Sequence, residues 1–155
     1  MYGFKNWKMK RCFLIFLFTT LSCSEKPSNK FNFKGNHIAI MVNDMKETGD
    51  FYAKTLRMNE LNIKSTGLAH RWFKLNDGLE IHLVSSSERV AEKNKNNHLA
   101  IEIDNIKTIT SYLKEKRIDY YDWYGNLNQV QERFDGVLQI YLEDPEGNWI
   151  EINQK

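Results

Sequence analysis

His37-Ile38-Ala39-Ile40-Met41-Val42-Asn43-Asp44-Met45 returns 61 residues later as His98-Leu99-Ala100-Ile101-Glu102-Ile103-Asp104-Asn105-Ile106. Each copy is an alternating, β-branched run opened by a histidine. In each, an Asn or Asp follows that can cap a helix. The repeat predicts one module used twice, with two imidazoles in matching places.

Working outward from the first copy, Met45, Thr48, Phe51, Tyr52, Thr55 and Leu56 fall on one face of a helix. Residues 59–65 and 68–75 read as a hairpin around Thr66-Gly67. Asn76-Asp77-Gly78 is a turn, and Leu79 to Val84 is the next strand. The second copy predicts a strand at 98–103 and a helix at 105–116 with Ile106, Ile109, Tyr112 and Leu113 on one face. An aromatic strand is expected at 118–124, a polar loop at 125–135 and a strand at 137–143. Asp144-Pro145-Glu146-Gly147-Asn148 is a tight turn in which Gly147 takes a positive φ. The last strand is 149–153. Both modules therefore read βαβββ, residues 37–84 and 98–153, in one α+β domain spanning 37–153.

The N-terminus differs in kind. Lys5, Lys8, Lys10 and Arg11 precede an uncharged apolar run from Cys12 to Leu21. That is the pattern of a secretory signal, and the run is shorter than the roughly 20 apolar residues of a membrane-spanning helix. Leu21-Ser22-Cys23 resembles a bacterial lipoprotein cleavage site, although Thr20 stands where an aliphatic residue is usual. The expectation is a signal at 1–22, a lipid anchor at Cys23, a polar tether at 23–36, and a domain facing the periplasm. The chain carries 22 Lys+Arg and 20 Asp+Glu. Residues 1–22 hold four of the basic residues and no acidic one, so 18 remain against 20, a net charge of −2. That balance gives no support for nucleic-acid binding. Cys12 and Cys23 are the two cysteines, so the domain has neither a disulfide framework nor a thiol nucleophile.

Four histidines lie in the domain: His37, His70, His82 and His98. Alternate strand residues share a face, so His82 lies with Glu80 and Val84, and Glu151 with Trp149 and Asn153. If these faces look inward, the imidazoles and one carboxylate meet in one cavity. Such N/O ligands suit zinc, nickel, iron(II) or manganese. His70 has no counterpart in the repeat and reads as ordinary. Trp72, Phe73, Tyr121, Trp123, Tyr124 and Tyr141 read as strand packing that can line a cavity. Arg71 and Arg133 could bind an anionic substrate, but such arginines are more often solvated or paired with a nearby Glu or Asp, and they are left out of the candidate site.

On His37-Ile38-Ala39-Ile40, Phe51-Tyr52, Leu79-Glu80-Ile81-His82-Leu83, His98-Leu99-Ala100-Ile101 and Asp144-Pro145-Glu146-Gly147-Asn148-Trp149-Ile150-Glu151-Ile152, the chain resembles the vicinal oxygen chelate superfamily. That superfamily includes glyoxalase I, extradiol dioxygenases, and fosfomycin- and bleomycin-resistance proteins. The resemblance implies a U-shaped mixed sheet around a metal-binding cavity, completed in many relatives by a second chain, hence a homodimer. It implies one divalent ion held by His37, His82, His98 and Glu151. It also implies a small-molecule substrate with neighbouring oxygens and a lyase or isomerase reaction through a metal-stabilised enediolate, with Glu151 or His82 as the catalytic base. The glyoxalase I pattern has a glutamate where this chain has His82, which puts proton shuttling by a second carboxylate in doubt. An extradiol-type iron dioxygenase using His37, His98 and Glu151 is the alternative, and a metal-free binding or resistance protein the rival of a different class.

Overall fold

A computed structural model describes residues 31–63, 69–87 and 93–155. The expected signal, the Cys23 anchor, most of the tether, the Thr66-Gly67 turn and the middle of the linker between modules lie outside the described residues. The chain divides into two units, residues 1–33 and 34–155, and the second of them holds both modules. Among the described residues no helix is long and apolar enough to cross a membrane.

The first module runs β1 (His37–Val42), α1 (Met45–Asp50), a π-helical turn (Phe51–Thr55), β2 (Asn59–Leu61), β3 (His70–Lys74) and β4 (Glu80–Ser85). The second runs β5 (His98–Ile103), α2 (Ile106–Lys116), β6 (Gln131–Glu132), β7 (Leu138–Glu143) and β8 (Trp149–Gln154). Their sheets have the same plan, in the orders β1-β4-β3-β2 and β5-β8-β7-β6. In each, the first and last strands pair in parallel and the other pairs are antiparallel. The twofold use of one βαβββ module is thus present in the fold.

Alternation decides which face is sealed. Ile40, Val42, Phe73, Ile81 and Leu83 are buried from the first sheet, and Leu99, Ile140, Leu142, Ile150 and Ile152 from the second. Tyr52, fully buried, stacks on Phe73 at 5.6 Å, and α2 adds Ile106 and Leu113. These residues form one hydrophobic cluster that runs through both modules. The opposite faces carry the histidines and Glu151.

Asp44 caps α1, accepting from the Glu47 amide at 2.8 Å, and Asn105 caps α2 from the Lys107 amide at 2.9 Å, as Asn and Asp do at helix starts. The single helix expected from Met45 to Leu56 widens after Asp50. Leu56 and Met58 donate to the carbonyls of Phe51 and Tyr52, at 2.9 and 3.0 Å. The strand expected at 118–124 is not formed. Tyr121 makes isolated bridges to Leu127 and Tyr141, and the short β6 lies inside the stretch read as loop. The reason is Asp122, whose carboxylate accepts from the Asn126 amide (2.8 Å) and side chain (2.7 Å) and bends the chain into a turn.

The Asp-Pro-Glu-Gly-Asn turn joins the modules. Asp144, 4% exposed, accepts from the amides of Glu146 and Asn148 and from the Asn148 side chain. Gly147 has φ +79°, a region open to glycine at little cost. Tyr52 of the first module donates to Asp144 at 3.3 Å. Glu146 accepts from the amides of Asn43 (2.7 Å) and Asp44 (2.6 Å) and from the Asn43 side chain. Burial alone would raise the Glu146 carboxyl, but the Asp44 and Asn43 donors outweigh it and hold the group below its ordinary range. A carboxylate lowered in the folded state stabilises above its unfolded pKa, and that contribution is lost as pH falls. Glu146→Ala is expected to lower the unfolding free energy by about 2 kcal/mol at neutral pH. In denaturant titrations the gap to the parent should narrow below about pH 4.

Candidate metal centre

On the first sheet the open face carries His37, His82, His70 and Trp72. Register places Ala39 opposite His82, and His82 opposite Trp72. The His82 ring stacks on Trp72 with centroids 3.8 Å apart and planes 12° apart. His37 lies 6.2 Å from His82 between ring centroids, and His70 lies 5.5 Å from it. His37 Nδ1–H donates to Asn36 Oδ1 at 2.6 Å, which leaves Nε2 as the lone-pair nitrogen of the neutral ring. The Nε2 atoms of His82 and His70 are buried without a hydrogen-bond partner. Burial pushes the His82 imidazole below its ordinary range, and the neighbouring His70 and His37 add to that, which favours a neutral ring.

The second sheet's open face is more tightly built. Glu151, 6% exposed, lies opposite Ala100 on one side and Tyr141 on the other. The Tyr141 hydroxyl donates to Oε2 and the Asn153 side chain donates to Oε1 at 2.6 Å. Arg133 Nη1 stands 4.0 Å from Oε1, its Nε and Nη2 being held by Asp135. His98 Nε2 lies 3.2 Å from Oε2, while His98 Nδ1–H donates to the Lys95 carbonyl at 2.7 Å. Because a carbonyl can only accept, Nδ1 carries a proton and Nε2 of the neutral ring aims a lone pair toward a carboxylate oxygen. A cation or a proton must mediate that pair. Two ligand atoms at about 2.0–2.2 Å from one ion, on adjacent coordination positions, stand about 3.0–3.5 Å apart. The His98–Glu151 spacing fits that geometry, and the carbonyl on Nδ1 is the usual outer partner of a ligating histidine.

The structure thus brings the four expected ligands together in two pairs, His37 with His82 and His98 with Glu151. Among the described residues no three His, Cys, Asp or Glu side chains gather closely enough to hold an ion. The sequence expectation is one cavity for all four; the described residues hold them as two pairs, one on each sheet. Each pair is local to one sheet because it rests on one parallel strand pairing, β1 with β4 or β5 with β8. The sequence reading missed the supporting residues. Asn153 was legible as the same-face neighbour of Glu151. Tyr141 depends on antiparallel register, and the Lys95 carbonyl on a turn before β5. His70, which has no counterpart in the repeat, sits beside His82.

The sequence profile of the Glyoxalase/Bleomycin resistance protein/Dioxygenase superfamily matches residues 34–152. The chain belongs to this superfamily. It is 27% identical over 129 residues to Glyoxylase I 4 of Arabidopsis thaliana, covering 76% of this chain and 68% of that protein. A glyoxalase family protein of Bacillus anthracis superposes with TM-score 0.68 at 21% identity, covering 81% of this chain and 98% of that one. Oxidase ChaP-H2 gives 0.66 at 21% identity, with 81% and 95% covered. Lactoylglutathione lyase of Agrobacterium tumefaciens gives 0.58 at 15%, with 77% and 91% covered. These structural likenesses establish the shared fold.

Tyr141 is the donor on which Glu151 depends most visibly. Burial and then the bond to Glu151 push its hydroxyl well above the ordinary tyrosine range. Tyr141→Phe should cost about 1–2 kcal/mol of stability at pH 7 with unchanged circular dichroism. Above about pH 10 the hydroxyl ionises first in the unfolded chain, so the parent loses stability with rising pH and the penalty of the variant should shrink.

Proposed function

We propose that this superfamily member is a metal-dependent enzyme of glyoxalase type, a lyase or isomerase acting on a small substrate with two neighbouring oxygens. The observation that carries this is His98 Nε2 facing Glu151 Oε2 at 3.2 Å with Nδ1 fixed by a carbonyl. A divalent ion bound there, of zinc, nickel, iron or manganese type, would supply a Lewis acid for the substrate's oxygens. His98 and Glu151 would hold it, together with His37. With Tyr141 and Asn153 both donating to it, Glu151 suits a ligand better than a mobile base. His82, half-buried and stacked on Trp72, is the better base for removing a proton next to a carbonyl.

The two pairs suggest how the centre is completed. In a homodimer, the first sheet of one copy would face the second sheet of the other, so that His37 and His82 meet the partner's His98–Glu151 pair. Neither the double variant His37→Ala/His82→Ala nor the double variant His98→Ala/Glu151→Ala should hold stoichiometric metal by elemental analysis. Refolded as a mixture, the two should regain about a quarter of the parent's metal, since half the dimers then carry one intact centre where every parent dimer carries two. A mixture that stays metal-free rules out the shared centre. A parent chain that takes up none of the four metals points to a metal-free binding module instead.

His82 in place of the glyoxalase glutamate favours one second reading, ring-opening oxygenation of a catechol by iron(II). Oxygen uptake that requires both iron and a catechol would replace the lyase reading. We also propose export and lipid anchoring at Cys23, on the sequence pattern alone. Cys23→Ser should move the folded, metal-competent domain out of the membrane fraction or leave its signal uncut. A variant that matures and partitions like the parent overturns the anchor.

A further inference from the structure

Lys95 stands on the open face of the second sheet and is not among the residues proposed to hold a metal or move a proton. Its ammonium lies 4.4 Å from the centre of the Trp149 ring and 5.3 Å from that of Tyr141. It donates to the carbonyls of Asp122 (2.9 Å) and Trp123 (3.2 Å). Those carbonyls and π faces fix the cation in position without neutralising it. Among the described residues no carboxylate oxygen lies within 4.0 Å of Nζ. The nearby acids do not fill that role. Asp122 bonds to Asn126, and Glu143 stands exposed at the rim, opposite Trp149. Arg133 is paired with Asp135. Burial holds the Lys95 ammonium below its ordinary range, outweighing the pull of Asp122 and Glu143.

The position of this charge is specific. The backbone carbonyl of Lys95 fixes the His98 tautomer, and its side chain lies over Tyr141, whose hydroxyl bonds to Glu151. Of the three ammonium N–H groups, two go to carbonyls, and one is left for a ligand. A cation half-buried against aromatic rings and lacking a carboxylate partner is costly, and an anionic group on a ligand would offset that cost directly.

We propose that Lys95 is a substrate-binding residue that takes a carboxylate, so that the substrates are small acids whose carboxylate lies beside their neighbouring oxygens. This rests on the metal-centre reading for the placement of those oxygens, and deepens it by naming the substrate class.

The test is calorimetric titration of the full chain, with and without zinc(II), using matched acids and neutral analogues. The pairs are pyruvate with hydroxyacetone, lactate with propane-1,2-diol, and 3,4-dihydroxybenzoate with catechol. In at least one pair the acid should bind about ten-fold more tightly at low salt, and the preference should fall as sodium chloride is added. Lys95→Met, which keeps the apolar stem over Trp149, should bring the preference close to one, while Lys95→Arg keeps part of it. The proposal is overturned if no acid is preferred, if Lys95→Met retains the preference, or if the preference ignores salt. If Lys95→Met fails to fold, Lys95→Gln takes its place, and an unchanged preference in that variant overturns the proposal. Failure of zinc(II) to bind at all counts against the metal centre alone, and the preference for acids is then read on the zinc-free protein.

Discussion

A carboxylate buried on a sheet face must be matched by donors, and Glu151 imposes that requirement on the whole second module. It is 6% exposed, and it is met by donors from Tyr141 on β7 and Asn153 two residues along β8, with Arg133 within reach and His98 Nε2 from β5 facing it at 3.2 Å. Each of these comes from a different place in the sequence, and each is delivered by sheet register. The β5–β8 pairing sets Ala100 opposite Glu151, so the small side chain leaves room beside the carboxylate. Removing a donor would leave a buried charge under-satisfied, which is why such networks fix their members tightly.

The same face makes sense only because the other face is sealed. Both modules bury one side of a four-stranded sheet against a helix, and the strands alternate accordingly. Polar residues on the open face therefore cost the core nothing. The modules are then joined by charge and hydrogen bonding as well as by the shared hydrophobic cluster. Asp144 and Glu146 of the 144–148 turn reach across to Tyr52 and to the backbone ahead of α1. The motif that closes the second module thus also caps the first.

His82 marks where this chain departs from the glyoxalase I pattern. A carboxylate there would be an anionic ligand or base. An imidazole stacked on Trp72 and flanked by His37 and His70 is held below its ordinary range by burial and by its neighbours. The first sheet's open face thus carries imidazoles where that pattern has a carboxylate, and on the second sheet Lys95 and Arg133 lie near Glu151.

The sequence by itself determined the module and its repetition. Alternation in 37–42 and 98–103, helical spacing after each, and the Asp-Pro-x-Gly turn are local patterns, and local patterns survive without knowledge of partners. It also determined that His37, His82, His98 and Glu151 lie on the polar faces, because face membership follows from period two. It misread 118–124 as a strand, since aromatic residues there suit a sheet, while the Asp122 carboxylate binds Asn126 and turns the chain. The tertiary structure alone decided the rest. Which polar side chains touch depends on pairing register and on turns, so Tyr141 at Glu151, the Lys95 carbonyl at His98 and His70 beside His82 had no signature in the linear pattern. The separation of His37 and His82 from His98 and Glu151 into two pairs follows in the same way, because a shared face is a property of one strand and proximity is a property of two.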